Sequence, residues 1–308
     1  MGYLVLIGTV VLLAFISLIT FSMRVTSKTG SKSQGKQPCR PIHLLVVLGS
    51  GGHTEEMLSM LRHAKLDPTS YARRTYVVSS GDSFSARKAI EFEKSIENGR
   101  EASKNEEAPR NGASRGQQQA TYTIVTVPRA RRVHQSFFTA PLSTLQCFGF
   151  CMLVLMGRHP DQLTAISGSG TGAGTGYPDI ILTNGPGTGV CVVVAARLLR
   201  LFDHLVYPIL PRARSNITSP SESTSRSTLD SESESHPYPQ FQNGRRGTQR
   251  YLRTIFIESW ARVTTVSLSG RILFPLVDRF LVQWEGLAGY SGRFGFGRKA
   301  EYVGTLLS

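Results

Sequence analysis

His43 to Leu58 reads HLLVVLGSGGHTEEML: an apolar, β-branched run stops at glycines, and a helical pattern restarts at once. At such a strand-to-helix turn, free backbone N–H groups and the positive end of the helix dipole form a seat for phosphate. Glycines let that phosphate approach closely. Gly51 and Gly52 would supply this backbone. His53, at the helix start, could hydrogen-bond a phosphate or accept a proton, although the dipole there disfavours its charged form. Thr54 could cap the helix, and Glu55 and Glu56 suit its first turn, the purely structural reading of these three. The spacing is not G-x-G-x-x-G and no Gly-Lys-Ser/Thr follows, so the dinucleotide fingerprint and the P-loop both fail.

A second loop of the same kind, TNGPGTGV from Thr183 to Val190, again joins a strand to a helix. Two such loops at the carboxyl edge of one sheet suggest a shared cleft, and together they favour a phosphorylated ligand. In IFIESWARVTTVSLSGRILFPLVDRFLVQW, Ile255 to Trp284, Glu258 ends a strand where side chains reach a cleft. Partly desolvated, it is a candidate general base. Capping or an ion pair with Arg262 explains it equally well. Arg262 and Arg271 could hold phosphate oxygens or face solvent. Cys147 and Cys151 lie one helical turn apart with no histidine at ligand spacing, so packing is expected there, with no metal site and no cofactor.

The elements that must position these residues alternate along the chain. Short apolar runs at Ile42–Leu48, Thr75–Ser79, Tyr122–Val127, Asp179–Thr183, Thr254–Glu258 and Arg279–Trp284 read as strands buried on both faces. Helical patterns fall between them at Thr54–Leu66, Phe84–Glu97, Leu142–Met156 and Thr188–Leu201. This order predicts an α/β fold, one Rossmann-like parallel sheet with helices on both faces. Residues 98–120, 167–176 and 212–250 are polar or Gly/Ser-rich and read as disordered insertions. Phe137 to Met156 is nearly long enough to span a bilayer. A second span would split the alternating domain in two, so a helix docked on the domain with an apolar face on the membrane fits better, next to Arg129, Arg131 and Arg132. A plain core helix is the third reading.

Leu4 to Met23 is almost wholly apolar and about the length of one bilayer span. Lysines and arginines follow it and none precedes it, which predicts a lumenal N-terminus and a cytosolic bulk. A cleaved signal peptide fits less well, for want of a cationic n-region and a cleavage site. Residues 24–41 form a basic linker, and 42–308 the domain. Four cysteines in no dense framework suit a reduced compartment, and on the cytosolic side the Asn216-Ile217-Thr218 sequon would stay bare. The net charge of +14 predicts an anionic partner. Much of that excess lies in the linker and insertions, and no nucleic-acid motif is present, so nucleic-acid binding is not expected.

Taken as a set, LGSGGHTEEML, TNGPGTG, ESWARVTTVSLSGRILFPLVDRFLVQW and the N-terminal anchor resemble the membrane-anchoring subunits of dolichol-pathway UDP-N-acetylglucosamine transferases, in a fungal-type version with insertions. The glycine loop with histidine also resembles that of MurG, the bacterial lipid-linked glycosyltransferase. The resemblance implies the acceptor-side half of a GT-B fold, held in the endoplasmic reticulum membrane. A separate soluble subunit would bind UDP-N-acetylglucosamine, and the heterodimer would add the second N-acetylglucosamine to dolichyl-diphosphate-N-acetylglucosamine with inversion. Neither chain would then work alone, and too little sequence follows Trp284 for a second domain of similar size. Carried over, Gly51, Gly52, His53 and Thr54 would lie at the acceptor diphosphate, with Asn184, Gly185, Gly187 and Arg262 in the same cleft and His53 and Glu258 the catalytic candidates. Tyr302, Val303, Leu306 and Leu307 would dock the partner. Competing readings are a membrane-tethered Rossmann oxidoreductase, which lacks its fingerprint, and a non-catalytic recruitment scaffold.

Overall fold

The computed structural model describes residues 42–67, 70–106, 121–131, 135, 140–169, 176–185, 187–206, 252–292 and 299–306. The expected anchor at Leu4–Met23, the linker 24–41 and most of the three insertions lie outside the described residues.

Seven strands form one sheet: β1 (His43–Val47), β2 (Arg73–Ser79), β3 (Thr121–Val127), β4 (Ile180–Thr183), β5 (Arg253–Ile257), β6 (Arg279–Val282) and β7 (Glu301–Tyr302). Every pairing is parallel, in the order β3-β2-β1-β4-β5-β6-β7. The order reverses direction between β1 and β4, the switch point at which an open α/β sheet leaves a crevice outside its strand ends. The first six strands stand where the sequence places them. β7 was not expected: it pairs with β6 at Leu281↔Glu301 and Val282↔Tyr302, and Arg279 ties it down by donating to both Glu301 carboxylate oxygens.

The helices are α1 (Gly52–His63), α2 (Ser83–Glu106), α3 (Ala140–Leu155), α4 (Pro160–Ser169), α5 (Thr188–Val206) and α6 (Leu268–Leu273). Alternation along β1 sends Leu44, Val46 and Leu48 to one face, against Met57, Leu58 and Leu61 of α1 and Phe92 of α2. Leu45 and Val47 face the other side, against Cys147, Cys151 and Val154 of α3 and Val192, Ala195 and Leu199 of α5. Both faces are covered, which is why the strands read as unbroken apolar runs. Two charged clusters lock helices to strands. Arg74 of β2 forks onto Glu93 of α2 at 2.7 and 2.6 Å, with the Tyr76 hydroxyl donating to the same carboxylate at 2.6 Å. Asp278 accepts from Arg200 of α5 at 2.9 Å and from the Thr254 N–H at 2.8 Å.

Two expectations about insertions are corrected. Helix α2 runs on through Glu106, nine residues into the stretch read as disordered from 98, and α4 takes the first three residues of the stretch that begins at 167. Helix formation needs only backbone bonds and tolerates polar side chains, so a polar composition did not forbid either extension.

The apolar stretch of α3 and α4, Ala140–Thr164, is long and apolar enough by length and composition to cross a membrane, and most of it is not buried. Gly157, at φ 69°, nevertheless ends α3: Gly157 N–H bonds Val154 C=O and Arg158 N–H bonds Leu153 C=O, a Schellman cap. The 16 residues of α3 then reach only about 24 Å, short of a hydrocarbon core of about 30 Å. Strands β3 and β4, on either side of it in sequence, belong to one sheet, so α3 and α4 do not separate two compartments. Helix α3 docks through Cys147, Cys151, Val154 and Leu155 and leaves Leu142, Leu145 and Leu153 exposed.

Candidate functional site: two glycine loops at the sheet switch point

Backbone meets backbone where the loops after β1 and β4 cross. A methyl group on Gly185 would come within 3.1 Å of the Gly49 Cα, and one on Gly49 within 2.6 Å of the His53 Cβ. Glycine at 49 is therefore what allows the chain to turn back and set His53 over its own loop. The two loops are also tied by polar contact, since Asn184 Nδ2 donates to the His53 carbonyl at 2.8 Å. Asn184 is buried, and its Oδ1 has no hydrogen-bond partner among the described residues.

Helix α1 starts earlier than expected. Gly51 takes φ 60° and ψ −122°, backbone essentially reserved for glycine, and stands at the N-cap. The first intrahelical bond is Thr54 N–H to Gly51 C=O at 3.0 Å, so the N–H groups of Gly52 and His53 precede the helical ladder. Gly51 and Gly52 are exposed, with open space where a side chain would stand at either. Gly187, at φ 66°, is the exposed glycine of the second loop. Thr54 is not the cap. It lies one turn in and fully buried, its hydroxyl bound to the Gly49 carbonyl and 2.7 Å from the Ser85 hydroxyl. The open part of this turn is thus backbone at Gly51–His53, and the Thr54 hydroxyl is turned inward beneath it.

His53 has 35 % of its side chain exposed, and its Nδ1 lies 3.8 Å from Glu56 Oε2, ion-pair range but too long for a hydrogen bond. Glu56, only 9 % exposed, is the residue that sequence reasoning passed over as a helix-dipole charge. Its carboxylate accepts from the Trp260 N–H, from the Ser259 hydroxyl at 3.0 Å and from Gln283 Nε2 at 2.9 Å. Burial pushes this carboxyl up, but His53 and those three donors outweigh it and hold it below the usual range. The one available signal was its place three residues after His53, on the same helix face. Nothing in the sequence announced its partners beyond β5 and β6.

Glu258 is 1 % exposed and belongs to the other side of the β5 end. Its Oε2 accepts from the Ser267 N–H and hydroxyl, both at 3.1 Å, and fills the space a side chain at Gly270 would need. Burial raises its carboxyl, against the opposing pull of Ser267, the Ser259 N–H and the Arg262 charge. Expected at the cleft as a candidate base, Glu258 has its carboxylate engaged with the 259–267 turn, and Ser259 takes the alternating position that faces α1. Arg262 and Arg271 are exposed, and Trp260 packs against Trp284 with ring centroids 5.8 Å apart and the rings tilted by 37°.

At the carboxyl end, Val303 N–H bonds the Val282 carbonyl at 3.1 Å and Leu306 N–H bonds Gln283 Oε1 at 3.3 Å, with Leu306 packed on the α1 face of the sheet. Through Leu306 the tail is therefore ordered against the domain, and Tyr302 is exposed on the edge strand. Leu307 lies outside the described residues. Among those described, no cluster of potential ligands could hold a metal ion.

A parallel sheet whose switch point carries two crossing glycine loops, an open helix N-terminus and a half-exposed histidine defines a Rossmann-type domain. The particular family follows from comparison: the chain belongs to the Alg14-like family of oligosaccharide biosynthesis proteins, which matches residues 44–306. It is similar to the UDP-N-acetylglucosamine transferase subunit alg14 of Aspergillus fumigatus, 50 % identical over 82 % of this chain and 100 % of that protein. It is also similar to the proteins of the same description from Schizosaccharomyces pombe, 28 % identical over 97 % of this chain and 99 % of the other, and from Homo sapiens, 27 % identical over 83 % and 82 %. No solved structure matches.

Proposed function

We propose that this chain is the membrane-anchoring, acceptor-binding subunit of a UDP-N-acetylglucosamine transferase that adds the second N-acetylglucosamine to dolichyl-diphosphate-N-acetylglucosamine in N-glycan precursor assembly. A soluble subunit that binds UDP-N-acetylglucosamine completes the cleft from the other side, and the pair works at the cytosolic face of the endoplasmic reticulum membrane with the N-terminus of this chain in the lumen. Its relatives are named as UDP-N-acetylglucosamine transferase subunits, and the observation that carries the reading is the Asn184–His53 tie, which sets both glycine loops around one open helix N-terminus.

In this reading the N–H groups of Gly52 and His53 face the acceptor diphosphate, and the exposed leucines of α3 rest on the lipid that carries it. His53 Nε2 takes the proton of the attacking sugar hydroxyl while that oxygen bonds the anomeric carbon of the donor and UDP departs with its bonding electron pair, inverting that carbon. Glu258 holds the 259–267 turn in place, and no cofactor or metal is called for. Affinity purification from solubilised membranes is the direct test: a small soluble partner should co-purify, and transfer should appear only with both chains. Full transfer by this chain alone would overturn the proposal, and unchanged transfer by the His53→Ala complex would reduce its role to recruitment.

A further inference from the structure

Glu56 has more donors than a surface helix needs and faces the one ring in the site that can move a proton. Its two oxygens collect the Ser259 hydroxyl, the Trp260 N–H and Gln283 Nε2, from segments more than 200 residues away, and Gln283 is fixed in turn by donating to the Glu258 carbonyl at 3.1 Å. A carboxylate held by that many groups cannot swing aside. His53 Nδ1, buried and without a hydrogen-bond partner, faces it at 3.8 Å.

We propose that Glu56 is a positioning residue for the transfer reaction: it keeps the Nδ1 side of His53 turned inward with its proton, so that Nε2 presents its lone pair to the cleft, and it stabilises the imidazolium once the acceptor proton has arrived. This rests on the reading of His53 as the proton acceptor. The carboxylate orients the ring and fixes its tautomer by offering negative charge to one nitrogen only. The other charged groups on elements packed around the loop are placed differently. Glu55 pairs with Lys88 at 3.1 Å, Asp82 accepts from the Ser85 hydroxyl at 2.7 Å, and Glu258 is taken up by Ser267 with Arg262 beyond it. Glu56 is the carboxylate that meets the ring.

The experiment measures transfer by the assembled two-chain complex in its lipid or detergent environment, from acid to neutral pH, for the parent and for Glu56→Gln. Removing the negative charge lowers the proton affinity of His53, so the acid limb of kcat should move to lower pH. The plateau should fall about tenfold, with the acceptor KM changed much less. Glu56→Asp, with the carboxylate drawn back by one methylene, should shift the limb the same way by a smaller amount. It also serves as the reading if Glu56→Gln reduces the yield of complex. On a His53→Ala background, Glu56→Gln should cost nothing further. A limb that stays in place in both variants, or a Glu56→Gln loss that persists undiminished without His53, would overturn the proposal. If His53→Ala itself leaves transfer unchanged, it is the proton-acceptor reading that fails.

Discussion

Asn184 donates its side-chain amide to the main-chain carbonyl of His53 at 2.8 Å, across 131 residues of sequence. Neither residue is held there by its neighbours in the chain. The sheet brings β1 and β4 side by side at the switch point, and one amide then fixes the register of the two loops. Replacing Asn184 by Ala leaves the His53 carbonyl without that donor and opens a small gap between glycine backbones. Unfolding measurements should show a loss of about 1–2 kcal/mol, and transfer at limiting acceptor should fall more than transfer at saturation.

The glycines of the first loop should separate by what surrounds them. Gly49→Ala forces a methyl group into the His53 Cβ and should cost about 1–3 kcal/mol with most of the activity, since backbone rather than a flexible side-chain end must move. Gly52→Ala meets open space and should leave Tm within a degree or two of the parent. If the diphosphate rests on this backbone, the same methyl group should raise the acceptor KM. Thermal melts and acceptor titrations on the two variants separate packing from ligand contact.

Asp278 provides the pH test of stability. Burial pushes its carboxyl up, but the Arg200 bonds, the charges of Arg200 and Arg197 and the Thr254 N–H prevail and hold it down at about 2, from an ordinary 3.8. A carboxyl depressed on folding contributes stability that is complete above its unfolded value and is lost as pH falls through the folded one. The contribution, at most about 2 kcal/mol for a side chain 30 % exposed, should be intact above about pH 5 and vanish toward pH 2. Asp278→Asn should flatten that part of a Tm-against-pH curve; a parent curve already flat there would contradict the assignment.

How much of this could be read in the sequence depended on range. Strands β1 to β6 were legible because burial on both faces demands unbroken apolar runs, and the open glycine turn was legible because Gly51 to His53 are contiguous. The α2 extension to Glu106 was not, since a polar helix end carries no apolar period. Strand β7 was not, because two residues have no pattern and Arg279–Glu301 supplies the hold. Glu56 shows the same limit within the site: its role is set by Ser259, Trp260 and Gln283, whose arrival depends on strand order. The contacts of Glu258 were not legible either, because a strand end permits either face, and only the packing of Ser267 and Gly270 decides.

The edge of the sheet at β7 makes the last prediction. Tyr302 is 49 % exposed on an edge strand, while Leu306, four residues on, is packed on the domain and bound to Gln283. The two should therefore fail differently. Tyr302→Ala removes exposed aromatic surface and should weaken co-purification with the soluble subunit by tenfold or more while Tm changes by less than about 0.5 kcal/mol would produce. Leu306→Asp buries a charge against the α1 face and should lower stability by about 2–4 kcal/mol. Because Gln283 holds both Leu306 and Glu56, Leu306→Asp should also depress transfer in whatever complex still assembles. Quantitative pull-down beside thermal melts checks both. Equal loss of stability from the two substitutions would mean that Tyr302 serves the fold and that docking lies elsewhere.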